Sequence, residues 1–229
     1  MAKTNNTFEA KYERAQLLLN YISSFPEYQP PRQWESITDV SNLLNAIAEV
    51  NAKEAELRKR YSELAALRQK AFRTAPDSLQ KTVTLVLNAV KAQYGNKSHE
   101  YNTINAIAKT TRAIHRKEGE EKITELSYNS LIEAFKSMIS EIEKFPVLYN
   151  PTVEQVTIEE LTKKLNYLIE LHTEVENVLQ KLNEVKAQRQ ELYNGKNGLS
   201  ERVKRIKSYI KVQYGVNSPE YAAIKSIKV

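Results

Sequence analysis

The chain has 229 residues, with 34 lysines and arginines against 28 aspartates and glutamates for a formal charge of +6, five glycines and no cysteine. Disulfides, thiolate metal sites and cysteine nucleophiles are thereby excluded, and so few glycines argue against a strand-rich fold with many tight turns. No apolar run approaches the roughly 18 residues of a membrane span, the longest, at 83–90, being broken by Thr84 and Asn88. The abundance of Leu, Ala, Glu, Lys, Asn and Gln suits helices, so the expected class is all-α, with a reducing, cytoplasmic setting and no membrane partner.

In chain order, apolar residues at helical spacing (Tyr12, Ala15, Leu18, Leu19, Ile22) predict a first helix at 7–24, stopped by Phe25-Pro26, because proline removes a donor and restricts its neighbour. A proline-bearing loop follows, with Tyr28 and Trp34 as candidate exposed aromatic anchors, or, for Trp34, a cap on the bundle end. A long helix is then predicted at 38–74, ahead of Pro76, with apolar residues at alternating spacings of four and three (Leu43, Ile47, Val50, Leu57, Tyr61, Leu64) and Glu54 as a polar interruption. A third helix at 78–94 turns back. The same order recurs afterwards: a helix at 128–144 stopped by Phe145-Pro146, a long helix to about residue 194 opened by the capping box Thr157-Ile-Glu-Glu160 and interrupted by His172, and a helix at 200–214. Each long helix would extend roughly 55 Å at about 1.5 Å per residue.

The recurrence is a tandem repeat. Lys91-Ala-Gln-Tyr-Gly-Asn-Lys-Ser-His-Glu-Tyr101 matches Lys211-Val-Gln-Tyr-Gly-Val-Asn-Ser-Pro-Glu-Tyr221 at seven of eleven positions, 120 residues apart. Phe25-Pro26 and Phe145-Pro146 share that offset, while Ala66-x-Arg68-Gln69 and Ala187-x-Arg189-Gln190 are 121 apart. Two units follow, 1–122 and 123–229, together a duplicated antiparallel helical bundle with two long coiled-coil-like helices. Within the recurring string, Gly95 and Gly215 are expected to end a helix with positive φ. Ser98 and Ser218 restart the next as N-caps, with Glu100 and Glu220 in its first turn and Pro219 at a position needing no N–H, while Tyr94, Tyr101, Tyr214 and Tyr221 pack across the corner.

The ending Tyr214-Gly-x-x-Ser-Pro-Glu-Tyr221-x-x-Ile-Lys-Ser-Ile-Lys-Val229 resembles the closing signature of uncharacterised all-helical bacterial proteins, in which a YGxxSxEY segment completes a helical unit. The resemblance covers 16 residues at the end and 11 at the internal copy, which departs from it with His99 in place of Pro219. It implies a bacterial all-α family and carries no activity, cofactor or site residue with it.

Catalysis finds little to work with. Three histidines are present, and the best metal candidate, Glu170-Leu-His172-Thr-Glu174-Val-Glu176, lacks the Glu-x-x-His pattern of helical di-metal sites and reads as a solvated helix face. P-loop, GxGxxG, HExxH and GxSxG patterns are missing. Basic residues cluster twice: Lys109, Arg112, His115, Arg116 and Lys117 between the copies, and Arg202, Lys204, Arg205, Lys207 and Lys211 near the end, where eight basic residues face two acidic ones from Lys196 onward. The second cluster is the candidate anion contact and makes nucleic acid the alternative partner. The leading expectation is a non-enzymatic structural or interaction protein without a cofactor, acting on a protein partner or by self-association.

Overall fold

The computed structural model describes residues 7–111 and 127–229. Among these the chain forms eight α-helices and no strand: α1 (Phe8–Ser24), α2 (Ile37–Gln69), α3 (Leu79–Tyr94), α4 (His99–Thr110), α5 (Tyr128–Glu143), α6 (Ile158–Asn194), α7 (Leu199–Gln213) and α8 (Pro219–Ile224). Short side chains begin them: the Thr7, Ser98, Ser127 and Ser218 hydroxyls each accept a backbone N–H at the first turn of α1, α4, α5 and α8. The capping box at Thr157 is half formed. Its hydroxyl accepts from the Glu160 N–H at 3.4 Å, but the Glu160 carboxylate pairs with Lys163 instead of reaching back. Ser36 caps α2 in the equivalent way, accepting from Asp39 N–H at 3.1 Å.

Matching elements keep a defined register. α1 and α5, α3 and α7, and α4 and α8 start 120 residues apart, whereas α2 and α6, and the 3-10 turns that precede them (Gln33–Glu35 and Glu154–Val156), start 121 apart. The register returns to 120 after Gln69, where α2 closes in a π-turn, Lys70–Thr74, sealed by Ala75 N–H on the Lys70 carbonyl at 3.0 Å. An i→i+5 turn takes up one residue more than an α-turn. The sequence has one residue more between Gln69 and Lys91 than between Gln190 and Lys211.

The chain divides into two compact units, Met1–Lys59 with Leu179–Val229, and Arg60–Val178. These do not coincide with the sequence division at 1–122 and 123–229. The reason lies in helix lengths. A 16-residue α3 runs about 24 Å, less than half the length of the 33-residue α2, and packs on the π-turn that closes α2. The first unit therefore gathers α1, the start of α2, the end of α6, α7 and α8 around Leu18, Ile22, Ile47, Tyr193, Ile206 and Ile224. The second gathers the end of α2, α3, α4, α5 and the start of α6 around Phe72, Val86, Ile104, Phe135, Met138 and Leu161. Each core joins the opening elements of one sequence copy to the closing elements of the other. The expected division into units 1–122 and 123–229 is corrected on this point.

Candidate functional site

The recurring string does end one helix and start another. Gly95 and Gly215 hold φ of 90° and 98°, and a Cβ on either would meet open space, so backbone conformation and not crowding calls for glycine. With ψ at 156°, Gly95 lies outside the left-handed helical region expected of it. Ser98 accepts from Tyr101 N–H at 3.0 Å and Ser218 from Tyr221 N–H at 3.1 Å.

The string has a second role that its spacing did not reveal. In the first unit the Tyr214 hydroxyl donates to the Pro26 carbonyl at 2.6 Å, the Gln213 amide donates to the Glu27 carbonyl at 2.7 Å, and the Tyr214 ring meets Phe25 edge-on at 5.9 Å. In the second, Tyr94 donates to Val147 at 2.7 Å, Gln93 to Leu148 at 2.7 Å, and Tyr94 meets Phe145 at 5.3 Å. The Gln-Tyr-Gly of each copy thus clamps the loop after Phe-Pro of the other. Glu27 is the one non-glycine residue with positive φ among those described, at 57°, and its carbonyl is one that the clamp binds.

The third sequence landmark behaves alike. The Arg189 guanidinium lies 4.7 Å from the Phe8 ring centre and pairs with buried Glu54 at 2.8 Å. Arg68 lies 4.2 Å from the Tyr128 ring centre and pairs with Glu176 at 2.7 Å, its Nη1 also 3.0 Å from His172 Nδ1. Phe8 packs on Tyr193 at 4.5 Å as Tyr128 packs on Phe72 at 4.9 Å. Burial, then the Arg68 charge, pushes the His172 imidazole below its usual value, whereas for Glu54 burial pulls upward and the Arg58 hydrogen bond and Arg189 charge outweigh it. Of the metal candidates, Glu174 pairs with Arg60 and Glu176 with Arg68, and no metal-binding group of three His, Cys, Asp or Glu occurs among the described residues.

The five basic residues of α7 have different fates. Arg202 is buried and donates to the carbonyls of Asn197 (2.8 Å), Trp34 (3.0 Å) and Asp39 (3.1 Å), with its guanidinium 5.0 Å from the Trp34 ring centre. Trp34 is nonetheless 47% exposed, so it both roofs Arg202 and presents a ring face outward. Lys207 donates to the Lys225 and Ile227 carbonyls, each at 2.8 Å, fastening the last residues to α7. Lys204 pairs with Glu201 at 2.7 Å, Arg205 lies 3.5 Å from Glu35, and Lys211 is exposed. In the earlier basic cluster Lys109 is exposed at the end of α4, while Arg112, His115, Arg116 and Lys117 lie outside the described residues.

Each clamped loop leaves a groove against the neighbouring helix. In the first unit a cavity of about 390 Å³ lies between Arg32 and Glu35 of the loop and Lys204, Arg205, Tyr209 and Val212 of α7. In the second a cavity of about 430 Å³ lies between Val153 and Val156 of the loop and Leu85, Asn88, Ala89 and Ala92 of α3. The positions correspond: Arg32 to Val153, Glu35 to Val156, Arg205 to Leu85, Tyr209 to Ala89 and Val212 to Ala92. One groove is charged and its counterpart apolar. Val153 and Leu85 of the apolar one are exposed, as are Leu148, 78%, and Val147, 61%, in its clamped loop. Compared with known proteins, the chain matches no family model and has no significant match among curated proteins or solved structures.

Proposed function

We propose that the chain is a non-enzymatic interaction protein of a reducing compartment such as the cytoplasm, built from a duplicated bacterial helical unit, and that the apolar groove of the second unit receives a protein partner. Support for the duplication comes from two contacts that recur in both units: Gln-Tyr-Gly on the loop after Phe-Pro, and the arginine of Ala-x-Arg-Gln beside an aromatic ring. Support for interaction rests on one observation: exposed aliphatic side chains, Leu85 and Val153, line a preformed groove, and the clamped loop that forms its wall also exposes Val147 and Leu148. Exposed apolar groups gathered at a concavity mark binding surfaces more often than scattered ones do. The polar residues singled out by the sequence support the same reading, since Arg68, Arg189 and Arg202 are committed to holding helices and loops.

The test is retention of proteins from source lysate by the immobilised chain, with and without nuclease and across a salt series, beside a variant carrying Leu85→Ser, Leu148→Ser and Val153→Ser. A defined set of proteins that survives nuclease and high salt and is lost from the variant is the expected result, apolar burial being insensitive to screening. Retention of nucleic acid alone, lost with moderate salt, would transfer the function to the basic residues of α7.

A further inference from the structure

We propose that the charged groove of the first unit is a second recognition site, for an acidic peptide segment in which a carboxylate side chain adjoins an apolar one. This rests on the reading of the chain as an interaction protein and adds the chemistry of a partner. At the groove floor the Glu35 side chain is 3% exposed, with Arg205 Nη1 at 3.5 Å from its Oε1 and Arg32 Nε at 3.7 Å from its Oε2. Arg205 Nη1 donates at 3.5 Å to both Glu35 Oε1 and Asn197 Oδ1, longer than the about 2.7–2.9 Å of a charge-assisted hydrogen bond, and Arg32 approaches Glu35 without a hydrogen bond. No donor among the described residues satisfies the buried Glu35 Oε2. A guanidinium has five N–H donors. Besides those contacts Arg205 donates from Nη2 to the Lys196 carbonyl at 3.0 Å, and Arg32 remains half exposed beside the cavity. Lys204, paired with Glu201 at 2.7 Å, stands on the same wall, so three cations against two carboxylates leave one positive charge in excess, and Tyr209 and Val212 supply apolar wall.

The second unit provides the control. There Val153, Val156 and Leu85 stand where Arg32, Glu35 and Arg205 do, and the loop is clamped on the helix all the same. The fold does not require these charges. A buried carboxylate that the counterpart groove lacks, held by two guanidiniums that still reach solvent, is better matched to a ligand than to stability, since apolar residues in its place are often neutral or stabilising. Charge complementarity selects an acidic occupant, and the cavity volume suits one or two side chains.

Panning random displayed peptides against the immobilised full chain tests this. Enriched sequences should carry Asp or Glu next to an apolar residue, and the corresponding synthetic peptides should lose about tenfold in affinity when the acid is replaced by its amide. The same loss is expected with Arg32→Val, Glu35→Val and Arg205→Leu combined, which installs the residues of the second groove. It is also expected with Val212→Trp, a substitution at an 82% exposed position that fills the groove and leaves its charges in place. Selection of no peptide, of peptides without acids, or of peptides indifferent to both variants would overturn the proposal, as would displacement of the peptide by a single-stranded oligonucleotide that binds the Val212→Trp variant equally well. Each of these leaves the apolar groove of the second unit to be judged by its own lysate experiment.

Discussion

Gly95 and Gly215 carry their backbone cost where no neighbour constrains a side chain, which makes their substitution a measurement of conformation alone. Alanine at either position must adopt φ near 90–98° and should cost about 1 kcal/mol or more. Urea unfolding should show the lowered midpoint, while Val216→Ala, exposed beside Gly215, should leave it unchanged. An unaltered midpoint for Gly215→Ala would mean that the corner relaxes. His172 gives a second residue-scale expectation. Its folded pKa is depressed below the ordinary 6.5, by burial first and then by Arg68, so the unfolded chain binds the proton more readily. The stability it contributes is fully present above pH 6.5 and is lost as pH falls through the folded value. His172→Gln keeps an acceptor for Arg68 and removes the titration. Thermal unfolding at pH 7.5 and pH 5 should therefore separate less for the variant than for the parent chain, and equal separations would remove His172 as the cause. The depressed Glu54 adds a further loss in a more acidic window, below 4.5.

At the scale of elements, the clamp is a pairing between copies and can be measured as one. Phe25→Ala with Tyr214→Ala should show a coupling of about 0.5–1.5 kcal/mol in a double-mutant cycle, because the two rings meet at 5.9 Å. Phe25→Ala with Tyr94→Ala, which joins residues of the same sequence copy but different compact units, should be additive. Coupling in the second pair and none in the first would restore the partition into 1–122 and 123–229. The helices themselves were legible: periodicity, the Phe-Pro stops, the caps at Ser98 and Ser218 and the glycines at 95 and 215 are local signals that tertiary context did not override. Periodicity shows which face of a helix is buried but not what buries it, so both partners of each clamp were found as repeat landmarks while their contact with each other was not. Gln93 and Gln213 carried a signal, identity in both copies at one offset, that capping alone left unexplained. Glu35 and Arg32 carried none, being charged residues in a loop. Arg202 was grouped with its basic neighbours because charge is visible in a sequence and burial under Trp34 is not.

For the whole molecule, the consequence is that neither sequence copy owns a core. The first unit needs α1 and the start of α2 from one copy and the end of α6, α7 and α8 from the other, and the second unit is composed reciprocally. A chain cut between α4 and α5 would then behave as two pieces of one fold. Inserting a protease site within 112–126 and cleaving it should give fragments that coelute in size exclusion at unchanged helicity and part when the helices unfold. Association of the pieces should become concentration-dependent after the cut, since mass action replaces a covalent tether. Had the two sequence copies folded as separate domains, the same cut would release two fragments that elute apart, each retaining its own helical signal. The distinction is sharp because α6 buries an apolar face from Leu161 to Tyr193 and α2 one from Val40 to Val50. Leaving either helix without the elements of the other copy would expose much of that face to water at about 25 cal/mol per Å² of apolar surface, a cost that a fragment escapes by re-forming the pair or by unfolding.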